Sequence, residues 1–399
     1  MSDYTVRRLD AEEHRAAWEL FRTALHAPVP KDEDWDRARA GHVPGRVWGA
    51  CDPELIGTAR SFDAQVRVPG GELVPMAAVT GIGVRAGRTR RGVLTALQTA
   101  QLAEFAEREV VAASLHPTEG TIYGRFGYGP ATLARDIHVD RHRARLRPEA
   151  PAGGEVSVHS LKESVGRWPG LYRATGLSRP ATITRSAACW SGYESMFHRL
   201  SEGLQTAVHR GLDGTDGYAC YRVVREDERP TRLELFDFHH TNPGAFAGLW
   251  RFLLSIDLVD EIRALGRPLD EPVELLFEDH RGATVARTED ESWFRLVDVP
   301  AALAARTYDR AEPVVIEVRD RFLPANAGRY RVGPEGAGRT DAEPDLRLDV
   351  STLAMLYFGT WKATGLAAVG RIEAPDAEAP ARADTLFGTR TAAWCGTFF

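Results

Sequence analysis

The chain has 399 residues, of which 43% are hydrophobic and 27% are charged, and its formal net charge is −6. This length predicts roughly two to three domains, and the negative charge argues against a nucleic-acid-binding protein. No apolar run approaches the ~18 residues of a membrane-spanning helix, and the charged N-terminus lacks the apolar core of a signal peptide. The four cysteines are isolated, so we expect no metal site, no disulfide framework and a reducing, cytoplasmic location.

Local patterns in the first 140 residues predict a sheet flanked by two helices. The first helix follows a capping box formed by Asp10 and Glu13. The second runs from Val93 to about Arg108, with apolar residues at helical spacing on one side. Apolar runs bounded by turn residues predict strands at residues 4–9, 47–50, 55–68, 73–84, 110–115 and 133–139. The charged, Pro- and Ala-rich run at residues 140–154 predicts a linker.

The middle of the chain partly repeats this order of elements. Predicted strands at residues 217–224 and 232–239 lead through a Gly/Pro turn into a helix at 245–257. This turn lacks arginines, which indicates a duplicated domain that lost an anion-binding loop. Helices at 299–308 and 348–359, with strands at 314–318 and 330–332, predict an α+β third domain. The resulting domain division is 1–145, 146–291 and 292–399.

The run VTGIGVRAGRTRRGVLTALQ, residues 79–98, joins a strand to a helix through a basic, glycine-bounded loop. The first amides of a helix have no intrahelical partner and carry the positive end of the helix dipole. A pyrophosphate frequently binds at such a site. The alternative is a solvated basic loop without a ligand. The loop contains neither a P-loop nor a G-x-G-x-x-G motif.

A second informative run is TIYGRFGYGP, residues 121–130, in which three aromatic residues alternate with glycines. One interpretation is a tight turn with apolar packing, in which glycine adopts positive φ angles. The other is that the turn holds the hydroxyl of Tyr123 against a substrate. Tyr128 is the second tyrosine that could serve this purpose, although a core position is the more ordinary role for it.

The order of strand, Arg/Gly loop, helix, strand and Tyr turn resembles the GNAT acetyltransferases. The longer run LHPTEGTIYGRFGYGPAT, residues 115–132, resembles the enhanced intracellular survival (Eis) family of actinobacterial N-acetyltransferases. This resemblance implies an α+β chain with two tandem GNAT-like domains, the second of them degenerate. It also implies a sterol-carrier-protein-like C-terminal domain and a terminal phenylalanine, which is present as Phe399.

The resemblance implies roles for particular residues. The backbone of Ile82, Gly83 and Val84 would pair with the pantetheine arm of acetyl-CoA, and Thr118 would lie near the cosubstrate. Tyr123 would act as general acid and the C-terminal carboxylate of Phe399 as general base. The residues that would hold the pyrophosphate are Arg88, Thr89, Arg90, Arg91, Gly92 and Val93. The loop departs from the family pattern, because Thr89 stands where Arg or Gln is usual and Leu94 where Gly or Ala is usual.

Other residues are candidates for contact with the acceptor. His116, seven residues before Tyr123, is an alternative base, although a packing role is equally compatible with its position. Trp35 could form an aromatic wall, and the acids at residues 32–34 could attract an amine, or could simply be a solvated helix start. Gly81 could widen the acceptor side of the strand.

The expected function is therefore acetyl-CoA-dependent N-acetylation of a primary amine, without a metal. The acceptor would be an aminoglycoside-like polycation or a lysine side chain, and a form restricted to protein lysines is an alternative. A further alternative is a non-enzymatic carrier that binds an apolar ligand in the C-terminal domain. The family resemblance also implies a homo-oligomer, specifically a hexamer.

Overall fold

The computed structural model describes residues 3–28, 31–200 and 203–399 and contains three β-sheets. The first sheet has the order β1-β2-β3-β4-β5-β14-β6, and the second has the order β13-β7-β12-β11-β10-β9-β8. The third has four strands in the order β17-β16-β15-β18. No helix in these ranges combines the length and apolar character that membrane crossing requires.

The first sheet is built mainly from the N-terminal third of the chain. Its strands are β1 (Thr5–Arg8), β2 (Val47–Asp52), β3 (Glu54–Arg67), β4 (Leu73–Val84), β5 (Ala112–Leu115) and β6 (Gly129–Pro130). Its helices are α1 (His14–Ala24), α2 (Asp32–Ala38) and α3 (Val93–Glu107). Glu13 accepts a hydrogen bond from the backbone of Asp10 at 3.0 Å, as expected for the capping box before α1.

The second sheet and its helices come from residues 133–290. The strands are β7 (Leu133–Asp140), β8 (Glu155–Ser160), β9 (Gln205–Gly211), β10 (Gly214–Val224), β11 (Arg232–His240), β12 (Glu261–Pro268) and β13 (Ala283–Asp290). The helices are α4 (Leu161–Ser164), α5 (Trp168–Thr175), α6 (Ala187–Arg199) and α7 (Pro243–Ser255). Our sequence analysis did not identify α6, although Trp190, Tyr193 and Phe197 repeat at helical spacing and are buried.

The third sheet belongs to the C-terminal region. Its strands are β15 (Val314–Arg319), β16 (Gly328–Gly333), β17 (Gly336–Arg339) and β18 (Leu346–Asp349), and β14 (Trp293–Leu296) precedes them in the chain. The helices are α8 (Val299–Ala305), α9 (Val350–Tyr357), α10 (Ala363–Ala368) and α11 (Ala379–Leu386). Every residue of α9 is buried, because this helix packs between the third sheet and β14 of the first.

Two strands lie in a different sheet from the one that their position in the chain suggests. Strand β7, which follows the first domain, pairs with β12 and β13 of the second sheet. Strand β14, which follows the second domain, inserts between β5 and β6 of the first sheet. The division of the chain into domains at residues 145 and 291 remains a prediction. The sheets do not follow these boundaries, because β7 and β14 each pair with strands of another domain. The expected linker at 140–154 connects two strands of the same sheet rather than two sheets.

Candidate functional site

Strands β4 and β5 separate to leave an opening in the first sheet. Their parallel ladder ends at the pair Ala78 and Ser114. Beyond it, the register between β3 and β4 shifts, and Gly81 adopts a φ of 61°, a bulge that bends β4. Residues 79–84 therefore present their backbone to the opening instead of to β5. The three residues that the family resemblance assigns to pantetheine, Ile82, Gly83 and Val84, lie on this segment.

The basic loop ends at the start of α3. Gly92 precedes the helix with a φ of 82°, a conformation that glycine adopts without strain, and no described side chain caps the first turn. Arg88 forms an ion pair with Asp52 at 2.8 Å, and Thr89 donates a hydrogen bond to the Ala86 carbonyl. Arg90, Arg91 and Gly92 are exposed. The uncapped amides of a 15-residue helix beside exposed guanidiniums fit a pyrophosphate.

The Tyr turn is held from outside the first domain. Arg295 of β14 donates from Nε to the carbonyl of Phe126 at 2.9 Å and forms a buried ion pair with Asp320 at 2.6 Å. Gly127 has a φ of 88°, and a Cβ there would lie 2.6 Å from Arg295 Nε. This glycine therefore makes room for the supporting arginine rather than for a cosubstrate.

The two tyrosines of the turn differ in environment. Tyr128 is fully buried, and its hydroxyl has no hydrogen-bond partner in the described residues. Tyr123 lines a cavity, and its ring packs edge-on against that of Tyr128 with 6.1 Å between centroids. Burial raises the pKa of Tyr123 to about 12, so its hydroxyl stays protonated at neutral pH and remains a donor.

We call this space the transfer cavity, and its volume is about 280 Å³. It brings together several residues that the sequence analysis singled out, which are Gly81, Ile82, His116, Thr118, Tyr123 and Phe399. Trp35 is not part of the lining, because its ring packs against Trp18 and His42. Two of the acids near Trp35 have other partners, since Asp32 pairs with Arg15 and Asp34 with Arg37.

The C-terminal tail is fixed by side chains that the sequence analysis missed. Both carboxylate oxygens of Glu291 accept backbone hydrogen bonds, from Cys395 at 3.0 Å and Gly396 at 2.8 Å. Arg185 donates to the Gly396 carbonyl and to the Thr397 hydroxyl. Its guanidinium also forms a buried ion pair with Asp237 at 2.7 Å. The second domain thus holds the last residues of the chain.

His116 and Tyr193 complete the attachment of the tail. One ring nitrogen of His116 lies 2.8 Å from the Thr397 carbonyl and the other 2.8 Å from the Glu291 carbonyl. The Tyr193 hydroxyl accepts a hydrogen bond from the Phe398 backbone at 3.2 Å. Burial lowers the pKa of His116. Both ring nitrogens face backbone carbonyls, and a neutral imidazole donates a hydrogen bond to one of them. This geometry suits His116 for positioning the tail better than for removing a proton from the amine.

Glu291 should make the stability of the protein depend on pH. Burial raises its pKa from the ordinary 4.5 to about 7, so its stabilising contribution is complete below pH 4.5 and is lost as pH rises through 7. We expect the free energy of unfolding of the wild type, relative to Glu291→Gln, to fall by about 3 kcal/mol between pH 4.5 and 7.5. Urea unfolding of both proteins at several pH values measures this difference, and a difference independent of pH would contradict the assignment.

The corresponding opening in the second sheet is filled by protein. The ladder between β11 and β12 ends at Leu235 and Ala264. Beyond it, Arg267 donates to the Phe238 carbonyl, and Trp394 donates to the Gly266 carbonyl. The following helix, α7, is capped by the side chain of Asn242. These contacts agree with the expectation that the second domain is degenerate, because they occupy both the opening and the helix start.

A second cavity, of about 410 Å³, lies on the other side of Phe398. It shares His116, Tyr193, Met196 and Phe398 with the transfer cavity. Its lining is rich in carboxylates, contributed by Asp136, Asp237, Glu289, Asp290 and Glu291, with Arg267 and Arg287 as the cations. We call it the acidic cavity.

Comparison with known families agrees with this architecture. Residues 5–131 and residues 181–296 each match an acetyltransferase (GNAT) domain family, and residues 299–396 match the sterol carrier protein domain. The fold and the split between β4 and β5 therefore define the protein as a GNAT N-acetyltransferase with two GNAT domains and a sterol-carrier-like domain.

Comparison with individual proteins narrows this class to a family. An uncharacterized N-acetyltransferase of Streptomyces avermitilis is 32% identical, with 100% of this chain and 99% of the relative covered. The N-acetyltransferase Eis of Mycobacterium tuberculosis is 33% identical over 92% of this chain and 89% of its own. A crystal structure of an Eis protein from Mycobacterium abscessus superposes with a TM-score of 0.90, at 36% identity, over 99% of this chain and 100% of that one. The chain belongs to the Eis family of N-acetyltransferases.

Proposed function

We propose that this protein transfers the acetyl group of acetyl-CoA to a primary amine in the transfer cavity. Tyr123 acts as the general acid, and the C-terminal carboxylate of Phe399 receives the proton of the amine. The observation that carries this proposal is that Tyr123 and Phe399 line one cavity, beside the part of β4 that has separated from β5.

Tyr123 and Phe399 act on different atoms during the reaction, Tyr123 on the sulfur and Phe399 on the amine. The amine nitrogen forms a bond to the acetyl carbonyl carbon while the bond from that carbon to sulfur breaks. The Tyr123 hydroxyl donates to the departing sulfur. Its raised pKa makes complete proton transfer to a thiolate unfavourable, so its main contribution is a hydrogen bond to the departing thiolate, which then takes its proton from water.

An ordinary carboxylate is a weak base for the role given to Phe399. An ordinary α-carboxyl titrates near 3.5 and a primary amine near 10, which separates them by about 9 kcal/mol. The ring of Phe399 packs against the rings of Phe62 and His116. The carboxylate works as a base only where desolvation raises its pKa or where the acceptor amine has a lowered one. It also attracts and orients the amine.

The cosubstrate would bind along β4 and at the start of α3. The backbone of Ile82, Gly83 and Val84 would hold the pantetheine arm, and the loop from Arg88 to Val93 would hold the pyrophosphate. Arg90 and Arg91 are exposed and compensate for the pairing of Arg88 with Asp52. Bound acetyl-CoA supplies the thioester that the amine attacks.

The family resemblance implies two acceptor classes, which are aminoglycoside-like polycations and lysine side chains. Most carboxylates of the acidic cavity already have cationic partners, since Asp136 and Glu289 pair with Arg287 and Asp237 pairs with Arg185. That cavity therefore does not select between the two classes. An acetyl-CoA turnover assay across polyamines, aminoglycosides, lysine peptides and amino acids tests the proposal, with free thiol as the readout. Wild-type turnover with at least one amine is expected, and the absence of turnover with every amine would refute it.

The alternative is a carrier of apolar ligands. The inner side of the third sheet is closed by side chains that are fully buried, such as Ile316, Leu346, Leu348 and Leu353. This packing favours the enzyme over the carrier. Binding of a fluorescent fatty acid, together with no acetyl transfer, would reverse that preference.

By family resemblance we propose a homo-oligomeric, hexameric protein that works in the cytoplasm. The expected particle is several times the 44.0 kDa of one chain. Light scattering at micromolar concentration measures this mass, and a monomer at that concentration would contradict the proposal.

A further inference from the structure

Arg60 is a partly buried cation beside the catalytic residues. Its side chain leaves β3 and passes between Gly81 and Gly41. A Cβ at Gly81 would lie 2.8 Å from Arg60 Cγ, and one at Gly41 would lie 3.3 Å from Arg60 Nη1. Gly81 therefore does not widen the acceptor side of β4, as the sequence suggested, because Arg60 occupies the space that it leaves. Two glycines accommodate one guanidinium.

The charge of Arg60 has no carboxylate partner within the described residues. Nη1 donates to the Gly41 carbonyl at 2.5 Å, and Nε has no hydrogen-bond partner there. Burial lowers the pKa of Arg60 to about 10, so the side chain is still protonated at neutral pH. A partly buried charge without a counter-ion is costly, and a bound anion would remove that cost.

Apart from the C-terminal carboxylate, the charged groups that line the transfer cavity are cations. Its charged side chains in the described residues are Arg60 and Arg199, and no Asp or Glu side chain contributes to it. The C-terminal carboxylate of Phe399 is the anion, and the structure records no ion pair between it and a described cation. The transfer cavity is therefore lined by Arg60 and by the terminal residue Phe399, and neither charge forms an ion pair within the described residues.

We propose that the acceptor is a free amino acid with an apolar side chain, whose carboxylate faces Arg60 while its amine faces the Phe399 carboxylate. This inference rests on the proposed function and adds a third acceptor class to the two above, an amine that carries a carboxylate. The apolar part of the acceptor would contact Phe21, Leu25, Met196 and Phe398. A cavity of about 280 Å³ is at the small end of ligand sites, which suits an acceptor of this size.

The test compares three acceptors with the same ring, which are phenylalanine, phenylalaninamide and phenethylamine. Free thiol release measures kcat/KM for each at one pH. Wild-type protein should prefer phenylalanine by roughly tenfold to a hundredfold, the range expected for one charge-assisted hydrogen bond. The amide keeps more of its amine neutral than phenylalanine does, so this comparison is biased against the proposal.

Arg60→Met should abolish the preference for phenylalanine over phenethylamine, chiefly by raising the KM for phenylalanine. Arg60→Lys should keep part of the preference, because the positive charge remains. The matched control is Arg39→Met, since Arg39 is exposed and does not line the cavity. This control should retain the wild-type ratio.

Two results would overturn the inference. One is a wild-type protein that uses phenethylamine or phenylalaninamide as efficiently as phenylalanine. The other is a folded Arg60→Met protein with an unchanged preference. In both cases amines are still acetylated, so the proposed function survives. Failure of the proposed function is distinguishable, because then no amine in the wider panel releases thiol.

Discussion

Replacement of Tyr123 by phenylalanine is expected to lower kcat by about 10²–10⁴-fold. The hydroxyl matters as the leaving sulfur gains charge, so the affinity for acetyl-CoA should change little. The ring should stay in place, because its packing against Tyr128 does not use the hydroxyl. Steady-state kinetics of acetyl transfer measures kcat, and calorimetric titration with CoA measures the affinity.

The matched control is Tyr128→Phe. The Tyr128 hydroxyl is buried without a partner in the described residues, so its removal should leave kcat within a few-fold of wild type and slightly favour folding. If Tyr128→Phe loses activity while Tyr123→Phe keeps it, the assignment of the general acid is wrong. If neither variant loses activity, another group donates the hydrogen bond to the sulfur.

Replacement of Arg295 by methionine is expected to destabilise the protein by about 3–5 kcal/mol. The change leaves the buried Asp320 carboxylate without its cation and the Phe126 carbonyl without its donor. Activity should fall as well, because Phe126 belongs to the turn that carries Tyr123. Urea unfolding measures the loss of stability, and turnover at a temperature at which the variant stays folded measures the loss of activity.

Arg15→Met is the control for this prediction. Arg15 and Asp32 are also 2.6 Å apart, but both side chains are exposed and solvent screens their attraction, so the expected loss is much smaller than that for Arg295→Met. The double variant Arg295→Met with Asp320→Asn should recover part of the stability, because it removes the unpaired charge. A loss for Arg295→Met as small as that of Arg15→Met would show that the buried pair does not support the turn.

Short-range patterns in the sequence were sufficient for the parts of the site that one segment forms by itself. The basic loop before α3 and the glycines of the Tyr turn are local features, since helix starts and positive φ angles depend on a few neighbouring residues. The repeat of strand, turn and helix around α7 likewise indicated a second, degenerate domain. These features, together with the resemblance to the Eis family, predicted the fold class and placed Tyr123 and Phe399 at one site.

The tertiary structure alone decided which distant groups meet. The alternation of apolar and polar residues does not predict which sheet β7 or β14 joins, because an apolar strand fits either sheet. Arg295 supports a carbonyl 169 residues away, and His116 contacts a carbonyl 281 residues away. Arg60 and Arg185 are isolated charges in the sequence, and Glu291 is the last of three adjacent acids, so neighbouring residues do not indicate their partners. Their roles depend on burial, since a charged group removed from water needs partners wherever the fold brings them. Arg185 has Asp237 and Glu291 has two backbone amides, whereas Arg60 has no described counter-charge.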